Sequence, residues 1–179
     1  MKDVNKKIFT AVLVSAVVCC VVLVGAVGSG PSSGRALEPP NDATLVPYPE
    51  GYREWAHVKS ALVSERHPDF TRSGGFRHIY ANAEALTGYR TGTFPEGATI
   101  VVDWLEGRDD GGAFTEGARR QVDVMVKDRT RFAKTGGWGF ERFRGGSRTE
   151  RVVTAVEKQC FACHSGPEAR DLVFSKLRE

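Results

Sequence analysis

The 179-residue sequence has little net charge, few cysteines and a single internal methionine. Its 25 Lys and Arg against 22 Asp and Glu residues give a formal charge of +3, of which residues 1–28 contribute +2. The remaining chain therefore lacks the basic patch that nucleic-acid-binding proteins need, and we expect no nucleic-acid partner. No repeat of solenoid length is present. With 41% hydrophobic and 26% charged residues, the chain is neither disordered nor wholly membrane-embedded.

The one long apolar run is at the N-terminus. Residues 8–27 are almost all Val, Ala, Leu, Ile or Cys, with three lysines before them and a Gly/Ser/Pro-rich stretch after them. This pattern is typical of an export signal, although about twenty apolar residues also suffice to span a bilayer. We therefore predict a signal peptide or membrane anchor over 1–28, a flexible linker over 29–48 and one domain over 49–179. The domain is expected in the periplasm, either secreted after cleavage or tethered to the membrane.

The cysteines divide between these two parts of the chain. Cys19 and Cys20 lie in the apolar segment, which leaves Cys160 and Cys163 for the domain, where His164 follows directly. C-x-x-C-H is the attachment signature of c-type haem. The two thiols add to the two vinyl groups of one haem, and the adjacent imidazole is an axial iron ligand. We predict one covalently attached haem c, with Cys160 and Cys163 as anchors and His164 as the metal ligand.

Three other interpretations of the motif fit the sequence less well. A disulfide between Cys160 and Cys163 would close a very small loop and stabilise little. A thioredoxin-like redox pair needs a β-α-β context that the surrounding sequence does not offer. A zinc site would need His164 and a fourth ligand, and the domain has no second cysteine pair.

Hydrophobic periodicity predicts an α+β fold, mainly an antiparallel β-sheet with an N-terminal helix and a C-terminal haem-bearing helix. The N-terminal helix is predicted over Glu50–Ser64, where Trp55, Val58 and Leu62 recur at helical spacing. A Ser-x-x-Glu capping box at Ser147 predicts the start of the haem-bearing helix. A last short helix is predicted over Ala169–Leu177. Glycine-bounded runs predict four strands and a turn-rich segment over Gly88–Gly97. The strands are predicted at Phe76–Asn82, Thr99–Leu105, Gln121–Lys127 and Trp138–Phe143, with a hairpin loop over Gly107–Gly112.

A sixth iron ligand is not obvious in the sequence. Met125 alternates with valines at 122, 124 and 126, so it is predicted on the polar face of its strand. His57, His67 and His78 are the other candidates, and only His78 alternates with aromatic residues. We therefore expect five-coordinate iron with an open side that binds something small.

The order of several short motifs resembles the cytochrome P-460 family over roughly Tyr52–Arg178. The resemblance implies a haem-binding, mainly antiparallel β domain, often a homodimer, with the haem attached near the C-terminus. The family has two functional branches. One oxidises hydroxylamine and has a lysine cross-linked to its haem; the other, cytochrome c′-β, lacks the cross-link and binds nitric oxide and carbon monoxide. The motifs are Phe76–Asn82, Gly92–Ala98, Trp138–Phe143, Cys160–His164 and Asp171–Phe174.

This chain departs from the first branch in the positions of its lysines. The family's lysine lies in the sheet region, yet no lysine occurs between Lys59, predicted in the first helix, and Lys127, at the end of a late strand. The carboxylate associated with hydroxylamine chemistry corresponds to Glu141, our candidate catalytic residue, which is equally consistent with a solvent-facing strand position.

The leading hypothesis is an exported monohaem protein that binds a diatomic gas such as nitric oxide. Its apolar distal pocket would favour neutral ligands because it offers no charge partner. One alternative is an enzyme that oxidises hydroxylamine or reduces peroxide, and the other is a six-coordinate electron carrier with a redox partner protein. The predicted pocket is lined by some of five aromatic residues, namely Phe76, Phe94, Trp104, Trp138 and Phe140.

Overall fold

Five antiparallel strands, each hydrogen-bonded to the next along the chain, form the sheet of this protein. The structure, a computed structural model, describes residues 45–68 and 70–178, all within the unit Glu38–Glu179. The predicted signal or anchor segment and residues 29–44 of the predicted linker lie outside the described residues. The strands are β1 (Ala56–Val63), β2 (Gly75–Ala81), β3 (Thr99–Asp110), β4 (Ala113–Lys127) and β5 (Trp138–Arg144).

The helices of the described residues are short. Two single 3-10 turns span Tyr52–Glu54 and Ala133–Thr135. The longest helix, Ala83–Thr91, connects β2 to β3, and the last one, Ala162–His164, follows directly on a π-helical turn at Glu157–Phe161. No helix in the described part of the chain has both the length and the apolar character to cross a membrane. The α-helices are α1 (Phe70–Ser73), α2 (Ala83–Thr91) and α3 (Ala162–His164).

The sheet separates two apolar clusters. Face 1 is the side on which Met125 of β4 pairs with Phe140 of β5. It is covered by α2 and by residues 156–177, which we call the C-terminal segment. Face 2 is the side of Val101, Val122 and Val124, and residues 46–55 at the start of the domain cover it. This second layer includes Val46, which is buried although it belongs to the predicted linker. The structured domain therefore begins before residue 49.

The mainly antiparallel sheet is confirmed, but the predicted N-terminal helix is wrong. Residues 56–63 form β1, paired with β2 through a bulge between His57 and Lys59. A bulge interrupts the two-residue alternation of a strand. The apparent helical stripe is therefore divided: Trp55 packs on face 2, while Val58 is buried on face 1.

The C-terminal helices also differ from their predicted form. Ser147 Oγ accepts a hydrogen bond from the Glu150 amide at 2.9 Å, as in a capping box, but no helix follows. Arg151 instead bridges to Phe143, because β-branched Val152 and its neighbour favour extended backbone beside β5. Helical structure around the motif is confined to residues 156–164, and the predicted helix over Ala169–Leu177 is wrong.

Two connections were predicted imperfectly. The predicted turn-rich segment begins inside α2 and contains its last turn. The signals of this helix are the Asn82 N-cap, accepting from the Ala85 amide at 2.9 Å, and Gly92 in the left-handed conformation. The hairpin loop is shorter than expected. Strand β3 continues to Asp110, and Gly111 and Gly112, both with positive φ, form the two-residue turn.

Candidate haem site

The C-x-x-C-H motif lies on the short helical segment that follows β5. Cys160 is in the π-helical turn, and Cys163 and His164 are in α3. The short segment therefore places all three residues within little more than one helical turn of each other. Cys160 is half-buried, Cys163 is exposed, and both are free thiols. Two thiols and one imidazole this close together fit covalent attachment of a single porphyrin.

The ring of His164 is fixed by a backbone carbonyl. Its Nδ1 is 2.7 Å from the oxygen of Leu172. A carbonyl oxygen only accepts, so Nδ1 donates and Nε2 is the nitrogen with a free lone pair. The imidazole lies beside two phenyl rings, with centroid distances of 5.1 Å to Phe140 and 5.0 Å to Phe174. Metal-binding histidines almost always donate their other ring N–H in this way.

Cys160 packs against the apolar cluster on face 1. Burial raises the pKa of its thiol to about 11, an effect that the nearby Arg142 guanidinium opposes. Arg142 is in turn bound at two points by Asp123, with Nε–Oδ1 and Nη2–Oδ2 distances of 2.6 and 2.8 Å. The free sulfur is therefore a neutral thiol at neutral pH, a form that resists adventitious oxidation and metal capture.

A tight turn presents the Leu172 carbonyl to His164. Arg170 and Val173 exchange two backbone hydrogen bonds, of 3.1 and 2.9 Å, and the two residues between them have φ of +46° at Asp171 and +64° at Leu172. Side chains other than glycine rarely adopt this left-handed region, at a cost on the order of 1–3 kcal/mol each. Such a turn persists only where its surroundings fix it.

The Asp171 carboxylate holds this turn in place. Its Oδ1 accepts from Lys127 Nζ at 2.6 Å and from Trp138 Nε1 at 3.3 Å, and its Oδ2 accepts from the Phe94 amide at 3.1 Å. Lys127 is only 2% exposed, and its Nζ also donates to the Gly136 carbonyl at 3.3 Å. The turn is therefore tied to the end of β4, the start of β5 and the loop before β3.

The predicted pocket aromatics do not gather in one place. Phe140 contacts His164 on face 1. Phe94 and Trp138 contact each other at 5.4 Å, both buried in the face 1 cluster that α2 covers. Phe76 shares its side of β2 with His78, on which it stacks at 5.8 Å, and so lies on face 2.

Trp104, the fifth predicted aromatic, lies on face 1, where it pairs with Arg77 of β2 and with Gln121 of β4. The Arg77 guanidinium stacks on its ring at 4.4 Å. The indole Nε1 is buried and has no hydrogen-bond partner within residues 45–68 and 70–178. A buried donor of this kind calls for an acceptor from a bound group or water, and the propionates of a haem are acceptors.

Glu141, the candidate catalytic carboxylate, lies on face 2 opposite Val124. It is buried, its Oε2 accepts from Arg151 at 2.9 Å, and its Oε1 accepts from the Arg142 amide at 2.8 Å. These contacts connect β5 to the chain that leads to the haem motif, and they account for its burial in structural terms.

The candidate sixth ligands separate clearly. Ser60 Oγ lies 2.8 Å from His57 Nε2 and 2.6 Å from His78 Nδ1, and His78 is on face 2. His67 is exposed in a turn. Met125, predicted on a polar face, instead packs in the face 1 cluster with Cys160, because α2 and the C-terminal segment cover that face. Met125 is thus the one of the four candidates placed on the motif's side of the sheet.

The lysines near the sheet also have definite positions. The amino group of Lys127 is buried in an ion pair with Asp171. Lys59 is in β1 rather than in a helix, and it pairs with Ile79, which places it on face 1. Within the described residues, no three His, Cys, Asp or Glu side chains are grouped to bind a metal ion.

The sequence did not reveal the role of Lys127, Asp171 or the Leu172 carbonyl. Left-handed turns are usually signalled by Gly, Asn or Asp at both central positions, and Leu172 at the second position is none of these. The contact partners lie 33 to 77 residues away along the chain, so no local pattern indicates them.

Comparison with known proteins agrees with this geometry. The family model described as Cytochrome P460 matches residues 49–175, a span that contains all five strands and the haem motif. Among curated proteins, none was found to match the chain. The family match confirms the resemblance found in the sequence and implies a haem cofactor. This chain belongs to the cytochrome P460 family.

Proposed function

We propose that this protein is an exported monohaem c-type cytochrome with an open distal side that binds a small diatomic ligand such as nitric oxide. The observation that carries the proposal is the histidine arrangement. The Leu172 carbonyl bonds to Nδ1 of His164, which leaves Nε2 free to bind iron. His57 and His78 instead hydrogen-bond to Ser60, and His78 is on the opposite face. When bound, the haem supplies an iron that binds such gases and exchanges electrons.

The helical segment contains the residues that would hold the haem. Cys160 and Cys163 would each form one thioether bond to it, and His164, directly after Cys163, would bind its iron through Nε2. Nδ1 keeps its proton because it donates to Leu172, so Nε2 can act as a neutral ligand.

Face 1 beside the motif supports selectivity for an uncharged ligand. Its rows there contain Ile79, Val102 and Phe140. On this face Asp123 and Arg142 neutralise each other in a two-point ion pair. The guanidinium near Cys160 is therefore already paired with a carboxylate, and because burying an unpaired charge is costly, this favours an uncharged ligand.

Titration of the reduced protein with nitric oxide tests the function. We expect a stoichiometric spectral change with nitric oxide, and none with azide or fluoride at equal concentration with the oxidised protein. Tight anion binding, or failure to bind nitric oxide, would contradict the proposal.

Hydroxylamine oxidation is a second candidate function with one observation in its favour, the position of Lys59 on face 1. However, β1 is four strands away from β5, which is about 19 Å at the usual strand spacing. Mass spectrometry of proteolytic haem peptides distinguishes the two. We expect haem only on the peptide that contains residues 160–164, whereas a peptide joined to Lys59 would favour the enzyme.

The proposed export to the periplasm depends on the N-terminal sequence. Three lysines before the apolar run of residues 8–27 support it. Fractionation of cells that produce the full chain tests it. Haem-stained protein is expected outside the cytoplasm, and replacing residues 1–28 by a single Met should abolish haem attachment in the same cells.

A further inference from the structure

The buried contacts of Asp171 have a consequence for the iron ligand. We propose that the Asp171 carboxylate is a positioning group for His164, acting through the strained turn at residues 170–173. This inference rests on the proposed function, since it assumes that His164 binds the haem iron.

The first step is the turn itself. Asp171 and Leu172 both have left-handed backbone conformations, which side chains of their type seldom adopt. In this conformation the Leu172 carbonyl oxygen lies 2.7 Å from Nδ1 of His164. If the turn relaxed to an ordinary backbone conformation, the carbonyl would rotate away and His164 would lose its acceptor.

Three hydrogen bonds of the Asp171 side chain keep the turn from relaxing. The carboxylate accepts them from Lys127, Trp138 and the Phe94 amide, all three in buried parts of the core. Lys127 is 2% exposed and Asp171 is 21% exposed, so water competes weakly for the pair. The carboxylate therefore ties the turn to the rigid ends of β4 and β5.

The third step concerns the ligand. Hydrogen bonding at one imidazole nitrogen sets the ring orientation and raises the basicity of the other, and losing such a partner typically weakens metal binding about 10- to 100-fold. A loosened turn should therefore make the iron–histidine bond weaker on average and more variable from molecule to molecule, although His164 itself is unchanged. Asp171 does not touch the iron ligand, so it acts only through the turn.

The test compares resonance Raman spectra of the reduced holoprotein. Asp171→Gly keeps the left-handed backbone accessible but removes all three side-chain hydrogen bonds, so the iron–histidine stretching band should move to lower wavenumber and broaden. Asp171→Asn retains an amide oxygen and tolerates the same backbone conformation, so it should give a smaller shift. Asp110→Asn, an exposed carboxylate at the β3–β4 hairpin, is the control and should leave the band unchanged.

Each outcome is decisive. An Asp171→Gly protein with retained haem and an unchanged band overturns the positioning role, and so does an unchanged band in Asp171→Asn if the glycine variant does not fold. Absence of the band from the wild-type protein, or its persistence in His164→Ala, would overturn His164 as the ligand and thereby the proposed function. Failure of the inference is in this way distinguishable from failure of the function.

Discussion

His78 and His164 lie against opposite faces of the five-stranded sheet. His78 shares Ser60 with His57 on face 2, whereas His164 lies beside Phe140 on face 1. A sheet of paired strands separates the two imidazoles, so His78 is not placed to complete the coordination of an iron held by His164. This separation leads directly to the first prediction.

Replacing Met125 or His78 should not alter the coordination of the iron. We expect Met125→Leu, which keeps the volume of the side chain but removes its sulfur, to have the ferrous absorption spectrum of the wild type. His78→Ala should behave in the same way because its ring is on face 2. A change from a low-spin to a high-spin spectrum in either variant would identify a sixth ligand and favour the electron carrier.

Covalent haem attachment should depend on two of the four cysteines. Cys160→Ala combined with Cys163→Ala should abolish haem staining on a denaturing gel, because no thiol remains beside His164. Cys19→Ala combined with Cys20→Ala is the matched control and should retain the stain. Staining that persists in the first double variant would be incompatible with the site.

Glu141 should prove to be a structural residue. Glu141→Gln breaks its buried ion pair with Arg151 and should lower the free energy of unfolding by about 2 kcal/mol. For a domain of this size that is a decrease in Tm of about 4 to 8 °C. Glu150→Gln, in the exposed pair with Arg144, is the control and should change stability by less than about 1 kcal/mol. Loss of hydroxylamine oxidation at unchanged Tm would instead support a catalytic Glu141.

Alkaline pH should reveal the burial of Tyr89. Burial raises the pKa of its phenol to about 12 from the ordinary value of 10.0, although its hydrogen bond with Ser175 opposes this. The unfolded chain therefore releases this proton first, and the stabilisation is complete below pH 10 and lost as pH rises to about 12. The difference in unfolding free energy between wild type and Tyr89→Phe should be constant below pH 10 and shrink above it. A difference that is constant up to pH 12 would show that Tyr89 titrates normally.

The sheet could be predicted from the sequence where the alternation of side chains is regular. The strand around His78 and the one that begins at Trp138 were found because glycines bound them and their apolar residues alternate. Strand β1 was mistaken for a helix because its bulge places Val58 and Lys59 on the same face, which destroys the alternation. Tertiary pairing, which a sequence pattern does not record, decided that segment.

The site could be predicted only where it is local in sequence. Cys160, Cys163 and His164 are contiguous, and their motif was sufficient to identify them. The Asp171–Lys127 ion pair joins residues 44 positions apart, and the covering of Met125 depends on how the C-terminal segment packs. Long-range contacts of this kind follow from the fold and not from spacing.

The absorption spectrum of the ferrous protein, recorded without added ligand and again with nitric oxide, distinguishes an iron with an open side from one with a sixth ligand. We predict an ordinary five-coordinate, high-spin haem c spectrum that changes on addition of stoichiometric nitric oxide. A low-spin, six-coordinate spectrum that nitric oxide leaves unchanged, or the altered spectrum of a cross-linked haem, would contradict it.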